Sequence, residues 1–391
     1  MKTGPVEVML LDIVRDRLRV LTRTSLLHVL TFAACLAACA TTAPQAPAAA
    51  PTHGLLVHEW VHGKGIEGNR LGDSPDRSVH IYLPPSYFTH PERRYPTVYL
   101  LHGFGSTSDG DVSWSAPGPD RGGPSVAEAM DAGIASGDLR EMIVVMPDCT
   151  NAYGGSFYVN SSVTGAWEDF VVRDLVAFVD AKLRTVRGAP ARAIVGHSMG
   201  GFGALRLGFA HSDVFGVVYA VSPCCIDDML LQMVRPETFV DALTATTADE
   251  LSRRRFSQRA AIGAGAAFTP NLEAKPLLVD SPFVAGPSGP QPVEAVQRVW
   301  SSMLATSSIA SQRGAILRLR AIGLDVGDQD EVKSILPTTQ AMDRALTAAG
   351  IVHELSVFHG GHVDRLGEQI AKAALPFASK HLGVAGAPSG P

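Results

Sequence analysis

Short apolar runs alternate with longer helical patterns along most of the chain after about residue 79. Apolar runs that stop at proline or glycine are typical of buried strands, and apolar residues spaced three and four apart are typical of helices. This alternation predicts an α/β fold with a mostly parallel central sheet flanked by helices. The predicted strands cover residues 55–61 (an edge strand), 79–83, 97–101, 142–146, 193–195, 217–221, 319–326 and 352–358, and the predicted helices cover residues 167–186, 336–349 and 366–382.

The alternation is interrupted between residues 224 and 312. A connection between two parallel strands needs only a dozen or so residues. This stretch is far longer and carries helical patterns at 241–260 and 292–304, with a Gly/Pro-rich joint at 285–290. It predicts a cap, inserted between later strands, that lies beside a pocket.

The first forty residues have the pattern of a bacterial export signal. Four arginines between positions 15 and 23 precede an apolar run at 26–40, as in the charged and hydrophobic regions of signal peptides. The run is shorter than the roughly 20 residues that a spanning helix needs. Leu36–Cys39 resembles the lipobox of lipoproteins, which predicts lipidation of Cys39; ordinary cleavage nearby is the alternative.

Three segments follow from these patterns. Residues 1–38 are predicted to be a lipoprotein-type signal peptide, residues 39–54 a flexible Ala/Pro/Thr tether, and residues 55–385 the folded domain. The predicted location is the cell envelope, on its periplasmic or extracellular face, with membrane contact only through a lipid on Cys39. The sequence leaves lipid anchoring and free secretion both open.

The composition is that of a folded protein and not that of a disordered chain or a nucleic-acid-binding protein. The chain has 391 residues, 46% hydrophobic and 18% charged, with a net charge of −5. These values exclude a disordered chain and give no basic surface for nucleic acid. Of the cysteines after the signal, Cys149 has either Cys224 or Cys225 as a disulfide partner, or none of the three is bridged. The pattern makes no prediction of oligomeric state.

A G-x-S-x-G motif supplies the first candidate for chemistry. Gly196 and Gly200 flank Ser198, directly after the predicted strand 193–195 and before a run of small helical residues. This strand–turn–helix context is the one that exposes a nucleophilic serine at the edge of a sheet. A serine hydroxyl needs a neighbouring base to remove its proton, so a histidine is expected nearby.

Candidates for the acid and the base follow in chain order. Asp330 and His362 each come just after a predicted later strand, which is where this architecture places the acid and the base. Asp330 would orient the imidazole, and His362 would act as general base and then as general acid. Asp325 and Asp328 remain alternatives for the acid, and His359 for the base.

An oxyanion that forms during acyl transfer needs preorganised hydrogen-bond donors. The backbone N–H of Met199, directly after Ser198, is one predicted donor. The backbone N–H of Phe104, in the loop after strand 97–101, is the other. His102 and His197 are expected to pack and brace these loops.

A second motif points to different chemistry. His58, Glu59 and His62 match the H-E-x-x-H pattern of zinc peptidases. Zinc binding requires this pattern on a helix, so that both imidazoles share a face, and it requires a third ligand. Here the segment alternates like a strand and glycines follow it, so we predict no metal site.

Together, these motifs resemble the esterase D, or putative esterase, family of α/β-hydrolases. The similarity lies in residues 79–87, 95–105, 154–170, 194–205, 325–332 and 359–362. The family includes S-formylglutathione hydrolases, feruloyl esterases, enterochelin-esterase-like proteins and mycolyltransferases. The resemblance implies the α/β-hydrolase fold, cofactor-free ester chemistry, a triad of Ser198, Asp330 and His362, and oxyanion donors at Phe104 and Met199. The residues after His362 and the insert 224–312 depart from the family pattern, which leaves the substrate open.

The predicted function is therefore that of an exported serine esterase. It would hydrolyse small carboxylic esters through an acyl-enzyme intermediate, without a cofactor and without a nucleic-acid partner. The alternatives are an acyltransferase of the same fold, a zinc peptidase that uses His58, Glu59 and His62, and a binding protein without turnover.

Overall fold

The computed structural model describes residues 52–106 and 122–383. The predicted signal peptide, Cys39 and most of the predicted tether lie outside these residues. Within the described part, no helix has the length and apolar character needed to cross a membrane.

An eight-stranded sheet forms the centre of the domain, in the order β1-β2-β4-β3-β7-β8-β11-β12. The strands β3, β4, β7, β8, β11 and β12 run parallel, and β2 pairs antiparallel with both β1 and β4. This arrangement confirms the predicted α/β fold. The strands are β1 Leu55–His62, β2 Asp76–Leu83, β3 Thr97–Leu101, β4 Ile143–Pro147, β5 Asn160–Ser161, β6 Gly165–Ala166, β7 Arg192–His197, β8 Val217–Val221, β9 Phe283–Gly286, β10 Gly289–Pro292, β11 Ala321–Gly327 and β12 Glu354–Phe358.

Helices cover both faces of the sheet. One buried cluster contains Trp167, Phe170 and Phe202, and the other contains Met130 and Leu375. The α-helices are α1 Val126–Ser136, α2 Trp167–Asp169, α3 Val176–Lys182, α4 Met199–Ala210, α5 Met229–Met233, α6 Pro236–Ala242, α7 Ala248–Ser252, α8 Phe256–Phe268, α9 Glu294–Met303, α10 Ala305–Ile316, α11 Ile335–Ala348, α12 Leu366–Gln369 and α13 Leu375–His381; π-helical turns are Phe170–Leu175 and Ile370–Ala374, and 3-10 turns are Lys64–Ile66, Pro85–Tyr87 and Ala189–Ala191.

The helix predicted at 167–186 differs from the observed one in its interior and at its end. The helix predicted at 167–186 ends at Lys182, because Leu183 is extended and the following Thr185 bridges to Tyr95. The π-helical turn Phe170–Leu175 lies in its middle and buries Phe170, Val171, Val172 and Leu175. Apolar spacing indicates a helix but does not distinguish α from π winding, which depends on packing.

The connection between β8 and β11 is built mainly from short helices. Residues 241–260, predicted as one helical patch, instead contain the end of α6, all of α7 and the start of α8. The Gly/Pro-rich joint at 285–290 lies in a hairpin of β9 and β10. The last helix of this connection, α10, packs against α4 and α11 and is therefore the crossover helix back to β11. Helices α5 to α9 precede this crossover helix and make up the additional part of the connection.

Candidate active site

The carboxyl ends of four parallel strands of the central sheet position the candidate site. Ser198 follows β7, the loop with Phe104 follows β3, Asp330 lies just beyond β11, and His362 lies just beyond β12. Because parallel strands all end at the same edge of a sheet, loops that are far apart in sequence meet there. Crevices at this edge are where open α/β sheets bind their ligands.

Ser198 lies on a sharp turn between β7 and α4. Its backbone has φ +56° and ψ −114°, a conformation that costs a non-glycine residue about 1–3 kcal/mol. The flanking glycines are required by close approach. A Cβ on Gly196 would lie 2.1 Å from the Gly200 carbonyl oxygen, and one on Gly200 would lie 2.0 Å from the Leu101 carbonyl oxygen. The motif thus packs the start of α4 directly onto the sheet.

Ser198, His362 and Asp330 form one line of hydrogen bonds. The His362 Nε2 atom lies 2.9 Å from the Ser198 Oγ atom, and the His362 Nδ1 atom lies 2.8 Å from the Asp330 Oδ2 atom. A carboxylate only accepts hydrogen bonds, so Nδ1 carries the ring hydrogen and Nε2 accepts from the serine hydroxyl. The Asp330 side chain is 1% exposed and the His362 side chain 14%, so solvent reaches the histidine and hardly reaches the acid.

The alternative acids and the alternative base have other partners. Asp328 pairs with His359 across 3.2 Å, and that hydrogen bond lowers the pKa of Asp328. Asp325 is fully buried and accepts from the Tyr219 hydroxyl at 3.1 Å. Burial raises the pKa of Asp325 to about 7. Of the candidates, the structure brings only Asp330 and His362 together with Ser198.

Three successive backbone N–H groups hold the His362 loop through carboxylates. Gly360 donates to Asp328 Oδ1 at 3.2 Å, Gly361 to Asp364 Oδ1 at 2.7 Å, and His362 to Glu331 Oε2 at 2.9 Å. The bond from His362 lowers the pKa of Glu331. Glu331 was not singled out from the sequence; its position next to Asp330 was the only available signal.

The loop of the predicted oxyanion donors lies against Ser198, the predicted nucleophile. A Cβ on Gly103 would lie 3.4 Å from the Ser198 Cβ atom. His102, at the base of this loop, is buried, and burial lowers its pKa. Its Nε2 atom accepts from the Cys149 backbone N–H at 2.8 Å. Met199 is the first residue of α4, where backbone N–H groups have no partner within the helix. The donor roles of Met199 and Phe104 stay predictions.

A cavity of about 500 Å³ opens beside Ser198 and His362. It is bounded by the oxyanion loop, by helices of the β8–β11 connection and by the start of α11. Cys224 and Cys225 also line it and, like Cys149, are free thiols. The Cys224 thiol has a pKa well above its ordinary value, because of its hydrogen bond with Cys225 and its burial.

The H-E-x-x-H residues lie on a strand, away from this cavity. His58 and His62 are four residues apart on β1, which places them about 14 Å from each other at the rise of a strand. His58 bonds Ser78 at 2.8 Å, and His62 pairs with Asp76 and Glu67, each at 2.6 Å. Within residues 52–106 and 122–383, no group of three or more His, Cys, Asp or Glu residues is arranged so that it could hold a metal ion.

Comparison with known sequences places residues 74–366 in the family described as Putative esterase. An esterase of Mycobacterium tuberculosis is 35% identical over 145 residues, which are 36% of this chain and 27% of that protein. An endo-1,4-beta-xylanase/feruloyl esterase of Xylanibacter ruminicola is 29% identical over 148 residues, 36% of this chain and 18% of that protein. The matched segment is thus about a quarter or less of these relatives.

Solved structures share the fold. A ferulic acid esterase superposes with a TM-score of 0.58 at 21% identity, covering 85% of this chain and 99% of that one. An S-formylglutathione hydrolase of Staphylococcus aureus superposes with a TM-score of 0.53 at 14% identity, covering 84% and 99%. At these identities the likeness concerns the fold alone. The family match spans most of the chain, and the chain therefore belongs to the putative esterase family, a family of carboxylic ester hydrolases with the α/β-hydrolase fold.

Proposed function

We propose that this chain hydrolyses carboxylic esters through an acyl-enzyme intermediate on Ser198. The observation that carries the proposal is the line of hydrogen bonds from Asp330 through His362 to Ser198, at the mouth of an apolar cavity. A buried acid, an imidazole and a serine in this order make up the arrangement that activates a hydroxyl for attack on a carbonyl carbon.

In the acylation step, the Ser198 oxygen bonds to the carbonyl carbon while its proton moves to His362 Nε2. The carbonyl oxygen becomes an oxyanion, which the backbone N–H groups of Met199 and Phe104 stabilise. Asp330 accepts the hydrogen bond from Nδ1 and stabilises the imidazolium. Collapse of the intermediate breaks the bond to the alcohol oxygen, which takes the proton from His362.

In the deacylation step, water takes the place of the alcohol. His362 removes a proton from the water molecule, whose oxygen bonds to the acyl carbon. The second tetrahedral intermediate collapses, the carboxylic acid leaves, and the proton on His362 returns to the Ser198 oxygen. No cofactor or metal ion takes part in either step.

Hydrolysis of p-nitrophenyl acetate, butyrate and octanoate tests this proposal. We expect turnover that Ser198→Ala reduces to background and that EDTA leaves unchanged. Ser334→Ala is a matched control, because Ser334 lines the same cavity and lies outside the proposed relay. Turnover that persists in Ser198→Ala would contradict the proposal. If these esters are not hydrolysed, labelling of Ser198 by a fluorophosphonate separates an enzyme of narrow specificity from a binding protein without turnover.

Acyl transfer is the second candidate reaction. In it, an acceptor alcohol replaces water in the second step, while all the residues keep their roles. Analysis of products with added alcohols distinguishes the two reactions. A transferase forms the new ester in preference to the free acid, and a hydrolase forms mainly the acid.

The proposal extends to location. We infer that the chain is exported and anchored by a lipid on Cys39, on the strength of the arginines, the apolar run and the lipobox-like residues near the N-terminus. Labelling with a radioactive fatty acid in a bacterial host tests this inference. We expect label in the wild type and none in Cys39→Ala. An unlabelled but exported wild type would support ordinary signal cleavage.

A further inference from the structure

Five aromatic rings form a wall along the cavity, those of Phe104, Phe157, Phe239, Phe256 and Trp300, and a sixth ring, that of Phe268, lies outside the lining and contacts two of them. Phe256 contacts Phe104, which contacts Phe157, with ring centroids 5.5 and 5.9 Å apart. The series continues from Phe157 through Phe268 to Trp300, with both separations 5.3 Å, and then to Phe239 at 5.6 Å. Packed rings hold each other in place, so the cavity is formed before a ligand enters it.

The buried part of this wall offers few polar groups. Ser198 is the polar member of its most buried residues; the others are Phe157, Phe239, Ala261, Ala264, Trp300 and Ile335. The half-buried Cys224, Cys225, Thr238 and Ser334 add thiols and hydroxyls. The Trp300 indole N–H is already used, because it donates to Thr269 Oγ1 at 3.0 Å. The charged residues Arg235 and Glu331 line the cavity from exposed positions.

Helix α8 keeps the cavity open because its facing residues are small. Ala260, Ala261 and Ala264 line the cavity and lie on one face of the helix. Gly263 lets the helix approach the oxyanion loop, since a Cβ there would lie 2.8 Å from the Phe104 ring. Larger side chains on this face would occupy the space next to Ser198.

We propose that this cavity is an acyl pocket for large, neutral, apolar acyl groups, and that Ala260 and Ala264 set its capacity. The inference rests on the proposed function, because it takes the ester carbonyl to lie at Ser198. A volume of about 500 Å³ is within the usual range for small-molecule sites, and far larger than an acetyl group needs. A charged acyl group would lose hydration in the buried part of this pocket, whereas the charged residues Arg235 and Glu331 lie at exposed positions of its lining.

The geometry favours the acyl side of the ester over the alcohol side. The acyl group stays on Ser198 through both steps, whereas the alcohol leaves and water enters next to His362 Nε2. The His362 side chain is 14% exposed, and the following Val363 is 47% exposed. The alcohol can therefore leave to solvent, and water can enter, at His362. The acyl chain then lies along the aromatic wall.

The test measures kcat/KM for p-nitrophenyl esters with acyl chains of 2 to 12 carbons, in the wild type and in Ala260→Leu. For the wild type we expect a rise of about fourfold for each added methylene until the pocket is full. Ala260→Leu should lower the ratio of octanoate to acetate turnover by at least about tenfold, because the added side chain fills space that a long acyl chain would occupy. Ala315→Leu is the matched control, since Ala315 is also half-buried on a helix but does not line the cavity.

Ala264→Val is a second, smaller change in case the leucine variant folds poorly, and circular dichroism reports on folding in each variant. A parallel series of acetate esters with alcohols of increasing length tests the other side of the ester. If both variants hydrolyse acetate and keep the wild-type ratio of octanoate to acetate turnover, the inference is overturned and the proposed function remains intact. A change confined to the alcohol series would overturn the assignment to the acyl group. Loss of all turnover in Ser198→Ala supports the proposed function separately.

Discussion

The Nε2 atom of His197 lies 2.9 Å from the carbonyl oxygen of His362. The two imidazole rings are 4.6 Å apart, centroid to centroid. A carbonyl oxygen only accepts, so Nε2 of His197 carries the hydrogen of this bond. His197 is also the residue before Ser198, and a Cβ on Gly103 would lie 3.2 Å from its Nδ1 atom. His197 therefore joins the loops that follow β3, β7 and β12.

This contact predicts a positioning role for His197. His197→Phe retains a ring next to His362 and loses the donor, so the His362 backbone is held less firmly against Ser198. We expect kcat to fall about tenfold with KM nearly unchanged, because small displacements of a base cost rate more than binding. His197→Gln, which retains a donor, should recover part of the loss. An unchanged kcat in His197→Phe, measured with p-nitrophenyl butyrate, would argue against this role.

The two aspartates near the His362 loop are expected to differ sharply in their effects. Asp330→Asn removes the charge that stabilises the His362 imidazolium, and we expect kcat to fall by roughly 10²–10⁴. Asp328→Asn changes a carboxylate of the same loop that pairs with His359 instead, and should leave kcat within about threefold. Steady-state kinetics of the two variants measures both values of kcat. Equal losses would mean that loop anchoring, rather than the acid, limits the rate.

Asp325 predicts a pH dependence of stability. Burial raises its pKa in the folded chain to about 7 from an ordinary value of 3.8. Between these two values the folded state binds more protons than the unfolded state, so stability falls as the pH rises from about 4 to about 7. Asp325→Asn has no charge to bury. It should unfold at a higher temperature than the wild type at pH 8, and the advantage should shrink at pH 5.

Thermal unfolding of both proteins at the two pH values checks this prediction. The expected gain at pH 8 is on the order of 1–4 kcal/mol. Asp213→Asn is the control. Because Asp213 is exposed, its replacement should leave the unfolding temperature unchanged at both pH values. A variant that is less stable than the wild type at pH 8 would mean that the carboxylate of Asp325 has a favourable partner there.

The H-E-x-x-H residues should be dispensable for turnover. His62→Ala removes exposed pairs with Asp76 and Glu67, which contribute little to stability. We expect ester turnover within about twofold of the wild type, and no effect of EDTA. Parallel loss of turnover in EDTA and in His62→Ala, restored by added zinc, would reopen the metal hypothesis.

The sequence by itself determined the fold class and the family. Runs of apolar residues closed by proline and glycine placed the main parallel strands within a few residues of their observed bounds, because such strands are buried on both faces and have few alternatives. The G-x-S-x-G motif is also readable from a short segment. Gly196 is required by its contact with Gly200 in the same turn, and Gly200 by the approach of the turn to Leu101, so Ser198 is identifiable from the string and its context.

Only the tertiary structure showed which residues pair when they are distant in sequence. Asp325, Asp328 and Asp330 all lie near the end of one strand, and the sequence left the choice among them open. The fold buries Asp325 beside Tyr219, pairs Asp328 with His359 and turns Asp330 toward His362. The contact from His197 to His362 likewise depends on how the ends of β7 and β12 meet.

The cap region was the least predictable part of the chain. Periodicity indicated helices there, but not that residues 241–260 break into three short helices. The aromatic wall combines Phe104 and Phe157 from early loops with Phe239, Phe256 and Trp300 from the connection between β8 and β11. Segments that are distant along the chain form this pocket only when they pack together, so the pattern of residues along the sequence does not predict it.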